Sequence, residues 1–159
     1  MALYFTRLAL LVFLVLGASA ATAQAQREHY DRVAPADKQF ADVVLDLEQA
    51  IGDENFAIVG RNDIGDAVRR RGHADFPDAV IVQFCNLEYA RRVIEIDPSY
   101  MLYMPCRVVA FEQDGRVHAA SLLLPTATEC APFNELATTI NAAIRRIVDF
   151  AVVPLVPSK

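Results

Sequence analysis

The sequence lacks the short motifs that usually identify an enzyme. It has no glycine-rich phosphate-binding loop, no HExxH metalloprotease pattern and no GxSxG nucleophile motif. Its three cysteines never stand at CxxC spacing, which excludes a thioredoxin-type redox motif and a zinc knuckle. A cysteine–histidine nucleophile pair would require Cys85 and His118 to meet in the fold. The sequence therefore names no catalytic residue and gives little support for an enzyme.

Positive charge is also scarce. The chain has 15 Lys and Arg against 20 Asp and Glu, a formal net charge of −5. Nucleic-acid binding needs clustered positive charge. The one basic run, Arg69–Arg71, falls in the last turn of a predicted short helix, where cations favour the helix dipole. We therefore expect no nucleic-acid partner.

Long hydrophobic runs are missing as well. Leu8–Leu16 is a continuous apolar segment of nine residues, whereas a membrane-spanning helix needs about 20. Arg7 precedes this segment, and the small residues Ala18–Ala20 and Ala23–Ala25 follow it. This order is typical of a secretory signal peptide. We expect residues 1–25 to be removed after Ala25, so that the mature protein is periplasmic or secreted and has no membrane contact.

The remaining chain predicts one α+β domain over residues 37–153. Residues 26–36 are polar and are expected to be loose, and residues 154–159 form a C-terminal tail. Apolar spacing and turn residues predict the order helix, strand, helix, strand, helix, hairpin, helix. The pattern favours a single sheet with helices packed mainly on one face. The predicted elements are a helix from Phe40 to Gly52, a strand at Asn55–Arg61, a short helix that begins at Asn62 or Asp63 and ends at Gly72, a strand at Asp78–Asn86, a helix at Leu87–Ile96, strands at Tyr100–Gln113 and Arg116–Leu124, and a final helix from Pro132.

The Asp114-Gly115 turn fixes the register of the predicted hairpin. A two-residue turn makes Gln113 face Arg116, and side chains then alternate between the two faces. Cys106 falls on the more uniformly apolar face, which we assign to the core. The opposite face mixes polar and apolar groups, which favours a homodimer interface, a protein partner or a groove for a small anionic ligand directed by Arg107. This mixed face includes Met101, Tyr103, Arg107, Val109, Phe111, His118 and Leu122.

The cysteines allow three interpretations. Cys85 and Cys106 form a disulfide if their strands are neighbours, or both are inert core residues, or Cys85 is a reactive or ligating thiol. The last alternative depends on Asn86, a predicted helix N-cap, because a helix N-terminus can lower the pKa of a thiol. No metal site or cofactor is predicted, although copper bound by Met104 and Cys106, or haem, remains an alternative. Nothing in the sequence fixes the state of Cys130.

Two motifs then identify a family resemblance. A strand ending in Cys85-Asn86, and a Pro105-Cys106-Arg107 strand leading to a hairpin with Gly115, resemble the exported branch of the family called domain of unknown function 302. The resemblance covers roughly residues 40–150. It implies a small α+β domain with a curved, largely antiparallel sheet related to the TATA-binding-protein architecture, often dimeric and with no established reaction. A strand before the first helix, part of the fuller pattern, is not evident in residues 26–36.

The sequence therefore favours an exported, non-catalytic binding or interaction module that acts as a homodimer. The alternative is a thiol-, metal- or haem-linked redox accessory protein that uses Cys85 and Cys106. The candidate binding residues are Cys85, Asn86, Tyr103, Cys106, Arg107 and His118.

Overall fold

A computed structural model describes residues 28–154 and contains one open, five-stranded antiparallel sheet. The strand order is β1-β5-β4-β3-β2, and every neighbouring pair is antiparallel. The predicted α+β class and single antiparallel sheet are confirmed, while the signal peptide at residues 1–25 lies outside the described residues. The elements are β1 His29–Val33, α1 Phe40–Asp53, β2 Ala57–Asp63, α2 Ile64–Arg69, β3 Ala79–Cys85, α3 Leu87–Ile96, a 3₁₀ helix Pro98–Tyr103, β4 Cys106–Gln113, β5 Arg116–Leu122 and α4 Ala131–Ala151.

The hydrophobic core lies between one face of the sheet and the helices. Alternate residues of β3 are buried, because a strand presents every second side chain to the same face. Helices α1 and α4 pack against each other and against the strands, and α4 contributes an apolar stripe at helical spacing. Within residues 28–154, no helix is both long and apolar enough to cross a bilayer. Central core residues include Leu47, Ile51, Val82, Phe84, Val108, Phe133, Leu136, Ile144 and Ile147.

The β4–β5 hairpin has the register that the sequence predicts. Gln113 pairs with Arg116, and Phe111 pairs with His118. Asp114 and Gly115 both have positive φ angles, 51° and 71°, as the mirror-image turns of tight hairpins require. The turn chemistry therefore determines which side chains of this hairpin face the core.

The first strand, β1, corrects the expectation that residues 26–36 are loose. It pairs antiparallel with β5 along its whole length. Tyr30 and Arg32 bond to Asp149 of α4 through its carboxylate, at 2.8 and 3.0 Å, and the Tyr30 ring also contacts the guanidinium of Arg145. Because β1 is an exposed edge strand with mostly polar side chains, it has none of the apolar alternation by which half-buried strands are recognised.

The segment before β4 is a second correction. The apolar run from Tyr100 predicts a strand, but Pro98–Tyr103 is a 3₁₀ helix, and the strand begins only at Cys106. The Asp97 carboxylate accepts a hydrogen bond from the Ser99 N–H at 2.8 Å and caps this turn. Pro105 has no N–H to donate to a strand ladder, so the sheet pairing starts after it.

The end of α1 also differs from the prediction. Gly52 was expected to stop the helix, but it lies inside α1, which continues to Asp53. The residue that leaves the helical conformation is Asn55, whose φ is 62°. Asparagine is one of the few non-glycine residues that adopts this left-handed region readily. The turn into β2 is therefore made by an asparagine.

Candidate functional site

The sheet face opposite α1 and α4 is open in the described residues. Strand register and alternation define it, and we call it the open face. Apolar side chains occupy its centre, where Val109 pairs with Ala120 and with Ile81 on the neighbouring strands. The members are His29, Asp31 and Val33 of β1, Arg116, His118, Ala120 and Leu122 of β5, Arg107, Val109, Phe111 and Gln113 of β4, Ala79, Ile81 and Gln83 of β3, and Gly60 and Asn62 of β2.

A histidine–carboxylate pair lies on the open face. His118 Nδ1 is 3.2 Å from Asp31 Oδ1, and the His118 ring stacks on Phe111 with a centroid distance of 4.8 Å and an interplanar angle of 16°. The His118 side chain retains only 19% of its exposure. Register, stacking and the carboxylate together hold the imidazole in one orientation within an otherwise apolar patch.

Arg107 is placed on this face as predicted, but Tyr103 is not. Arg107 pairs with Gln83 and is exposed, so its guanidinium is available to an anion or a partner. Tyr103 belongs to the 3₁₀ helix. Its ring contacts Phe133 of α4 at a centroid distance of 6.0 Å. The expected grouping of Tyr103 with Arg107 and His118 is therefore wrong, because it assumed a strand where the chain makes a helical turn.

A second feature is a small apolar cavity of about 20 Å³ at one end of the sheet. A volume of this size has room for about one water molecule. It lies between the ends of β3 and β4 and the helices α3 and α4. The lining residues are Phe56, Cys85, Asn86, Tyr89, Ala90, Val93, Tyr100, Met104, Cys106, Leu124, Phe133 and Ile140.

The cysteines at this cavity are free thiols. Cys106 of β4 pairs with Phe84 of β3, so Cys85 is one residue past the position directly opposite Cys106. Cys85, Cys106 and Cys130 are all unbridged, and the disulfide alternative is not formed in the structure.

Burial makes these thiols poorer nucleophiles than free cysteine. It raises the pKa of Cys85. It also raises the pKa of Cys106 to about 11, with a smaller contribution from the charge of Cys85. The thiolate is the reactive form of cysteine. Desolvation therefore outweighs the stabilisation that the start of α3 was expected to give Cys85.

We predict that Cys106 is slow to alkylate. In the folded protein at pH 8, iodoacetamide should modify Cys106 about 100-fold more slowly than in urea, because a pKa near 11 leaves little thiolate. Peptide mass spectrometry after timed quenching measures each cysteine separately, and the unfolded protein is the control. Equal rates in the folded and unfolded states would identify Cys106 as an accessible, activated thiol.

Asn86 has the capping role that the sequence predicts. Its Oδ1 accepts hydrogen bonds from the N–H groups of Glu88 and Tyr89 at 3.0 and 3.1 Å. Its Nδ2 donates to the carbonyl oxygen of Asn55 at 2.8 Å. One side chain therefore joins the start of α3 to the turn before β2. An open cleft of about 380 Å³ lies beside it and is also lined by Cys85.

Replacing Asn86 with alanine should lower the free energy of unfolding by about 2 kcal/mol, because the helix loses its cap and the carbonyl oxygen of Asn55 loses its donor. Urea denaturation of the purified protein measures this change. Asn86→Asp is the matched control, since a carboxylate keeps the cap acceptor and lacks only the donor to Asn55. It should recover about half of the loss. A stability within about 0.5 kcal/mol of the parent for Asn86→Ala would contradict the dual role of Asn86.

Metal-binding residues are sparse. Among residues 28–154, no group of three or more His, Cys, Asp or Glu side chains could hold an ion. Met104 and Cys106 do line the same cavity, as the copper alternative requires. Met101 is half-exposed in the 3₁₀ helix and does not join them.

Sequence reasoning missed one member of the open face that contributes chemistry, Asp31. It lies in β1, the strand that polar composition concealed. The signal that could have found it is the alternation in HYDRV, in which Tyr30 and Arg32 face the helices while His29, Asp31 and Val33 share the other face. With Asp31 in place, the open face holds one acidic residue, directly beside His118.

Comparisons with known proteins agree with this architecture. The sequence model of the family described as "Domain of unknown function DUF302" matches residues 32–151. A crystal structure described as an uncharacterized conserved protein DUF302 from Bacillus stearothermophilus is similar, with a TM-score of 0.69 and 19% sequence identity. The match covers 77% of this chain and 97% of that chain. At this identity the likeness concerns the fold. No curated protein matches the chain.

Proposed function

The chain belongs to the family described as domain of unknown function DUF302, and we propose that it acts as a non-catalytic interaction module that pairs with a second copy of itself through the open face. The observation that carries this proposal is the apolar centre of a sheet face that the long helices do not cover. Ile81, Val109 and Phe111 are only part-buried there, and an uncovered apolar patch is typical of an interaction surface.

The distribution of acidic residues is compatible with a second copy as the partner. Asp31 is the single acidic member of the open face, although the chain has 20 acidic residues. Contact through this face therefore keeps most of the negative charges of two copies apart, whereas contact through other surfaces would bring like charges together. A small anion bound near Arg107 is the competing occupant.

The two sheet edges are less suited to pairing. The edge strand β2 has a register shift between Ile58 and Gly60, and Arg61 and Asp63 follow it. Bulges and charged side chains on an edge strand oppose strand addition. The other edge, β1, has only five residues and is bonded to α4. A face-to-face arrangement is therefore preferred to edge-mediated pairing.

We predict that the protein sediments as a dimer at tens of micromolar and that Val109→Glu makes it monomeric. The added carboxylate would be buried without a partner at the centre of the interface. Analytical ultracentrifugation measures the mass. Leu45→Glu is the matched control, since Leu45 is an exposed apolar residue on α1, 63% exposed, and this variant should stay dimeric.

A parent protein that remains monomeric at high concentration would overturn the proposal. So would a Val109→Glu variant that stays folded and dimeric. If phosphate or a carboxylate ligand protects the open face from hydrogen exchange in a monomeric protein, the anion-binding alternative through Arg107 replaces the dimer.

A thiol- or metal-dependent role is the second candidate, because Cys85, Met104 and Cys106 line one cavity. Sulfur ligands suit copper(I), and a haem-linked role would use the same residues. Native mass spectrometry of protein isolated from its own compartment tests both candidates together. Bound copper or haem that is lost in Cys106→Ser and retained in Cys130→Ser would favour this role.

We also propose that the protein acts after export, in the periplasm or outside the cell. The proposal rests on the apolar segment Leu8–Leu16 and the small residues up to Ala25. The same native mass measurement tests it, because a processed chain would begin at Gln26. A full-length mass in the native protein would contradict cleavage.

A further inference from the structure

We propose that self-association through the open face is controlled by protonation of His118. This inference rests on the proposed function, since it concerns the same surface. His118 lies beside the apolar centre of that face, stacked on Phe111 of β4 and paired with Asp31 of β1. A second copy seated on the face would cover all three side chains.

The direction of the pH dependence follows from the charge that association buries. With His118 neutral, the pair has a net charge of −1 from Asp31, and burying an unbalanced charge is unfavourable. With His118 protonated, the pair is neutral overall and keeps its hydrogen bond. The dimer therefore binds protons more tightly than the monomer, and association strengthens as the pH falls through the range where histidine titrates.

Other charged groups near the His118–Asp31 pair do not change the direction of this pH dependence. From β1, Asp31 is the acidic group that faces His118, and from β4 the facing side chain is the uncharged Phe111. On β5 itself, Arg116 lies two residues away and donates a hydrogen bond to the carbonyl oxygen of Ala34. Arg107 lies at the other end of β4, and both guanidinium groups keep their charge across this pH range. The histidine charge is therefore the one that changes beside Asp31.

Sedimentation equilibrium at pH 6, 7 and 8 tests the inference. The dissociation constant of the parent dimer should be at least about tenfold lower at pH 6 than at pH 8, since each protomer takes up as much as one proton. His118→Gln keeps a neutral polar side chain and should remove the pH dependence. Asp31→Asn should reverse it, because protonated His118 would then carry an unbalanced positive charge.

His29→Gln is the matched control, because His29 lies on the same face but pairs across the ladder with Leu122, whereas His118 Nδ1 lies 3.2 Å from Asp31 Oδ1. This variant should retain the full pH dependence. A dimer with the same dissociation constant from pH 6 to 8, or one whose pH dependence survives in His118→Gln, overturns the switch and leaves the proposed function intact. A protein that stays monomeric at every pH overturns both.

Discussion

Replacing Asn141 with alanine should lower the free energy of unfolding by about 3 kcal/mol, because two buried backbone groups lose their partners together. Asn141 is 7% exposed on the buried side of α4. Its Oδ1 accepts a hydrogen bond from the N–H of Leu124, and its Nδ2 donates to the carbonyl oxygen of the same residue, both at 2.8 Å.

The position of Leu124 explains the size of this effect. It follows the end of β5 and is itself 7% exposed. The side chain of Asn141 bonds to both the N–H and the carbonyl oxygen of Leu124, as a neighbouring strand would do. Alanine would leave a buried donor and a buried acceptor unsatisfied, and each costs about 1–3 kcal/mol.

Urea denaturation with a linear extrapolation measures the change. Thr139→Ala is the control on the same helix, because Thr139 is exposed and its hydroxyl donates only to the carbonyl oxygen of Glu135, at 3.2 Å. We expect that variant to stay within about 0.5 kcal/mol of the parent. A loss below about 1 kcal/mol for Asn141→Ala would mean that water replaces the amide at Leu124.

Strong local signals explain why the middle of the fold could be predicted from the sequence. Asn86 predicts the start of α3, and Asp114-Gly115 predicts both the hairpin and its register; the structure agrees with each. Alternation from that turn also places Cys106 on the core side, opposite the fully buried Phe84. The family resemblance drawn from the Cys-Asn and Pro-Cys-Arg motifs is confirmed.

The features that sequence reasoning missed depend on contacts between distant residues. Asp31 and His118 are 87 positions apart, and no local pattern joins them. Strand β1 is polar because it is an edge strand of the sheet, and its side chains are exposed or bond to α4. Asn141 interrupts an apolar helix face, and its partner is a backbone group outside α4. Composition alone cannot distinguish such a residue from an exposed asparagine.

Gly65 of α2 packs against the main chain that leads into β3, and this position leads to the second large stability prediction. A Cβ atom added at Gly65 would lie 2.7 Å from the carbonyl oxygen of Pro77 and 2.9 Å from the backbone nitrogen of Ala79. Both contacts are shorter than normal van der Waals separations, and both involve main-chain atoms that cannot rotate away.

Gly65→Ala should therefore destabilise the protein by about 3 kcal/mol, since either α2 or the start of β3 must shift to admit one methyl group. The start of β3 leads directly into the open face at Ala79 and Ile81, so the same substitution should also weaken self-association. Thermal and urea unfolding measure the first effect, and sedimentation of the folded fraction measures the second.

Gly52→Ala is the control. It makes the same chemical change but should raise the stability of the protein instead of lowering it. Gly52 lies inside α1, and a Cβ built there meets nothing within 4 Å. Alanine is the better helix former by about 1 kcal/mol, so this variant should be more stable than the parent. If Gly65→Ala were as stable as Gly52→Ala, α2 would not pack closely on the start of β3. The inference that this contact holds the start of β3 in place beside the open face would then fail as well.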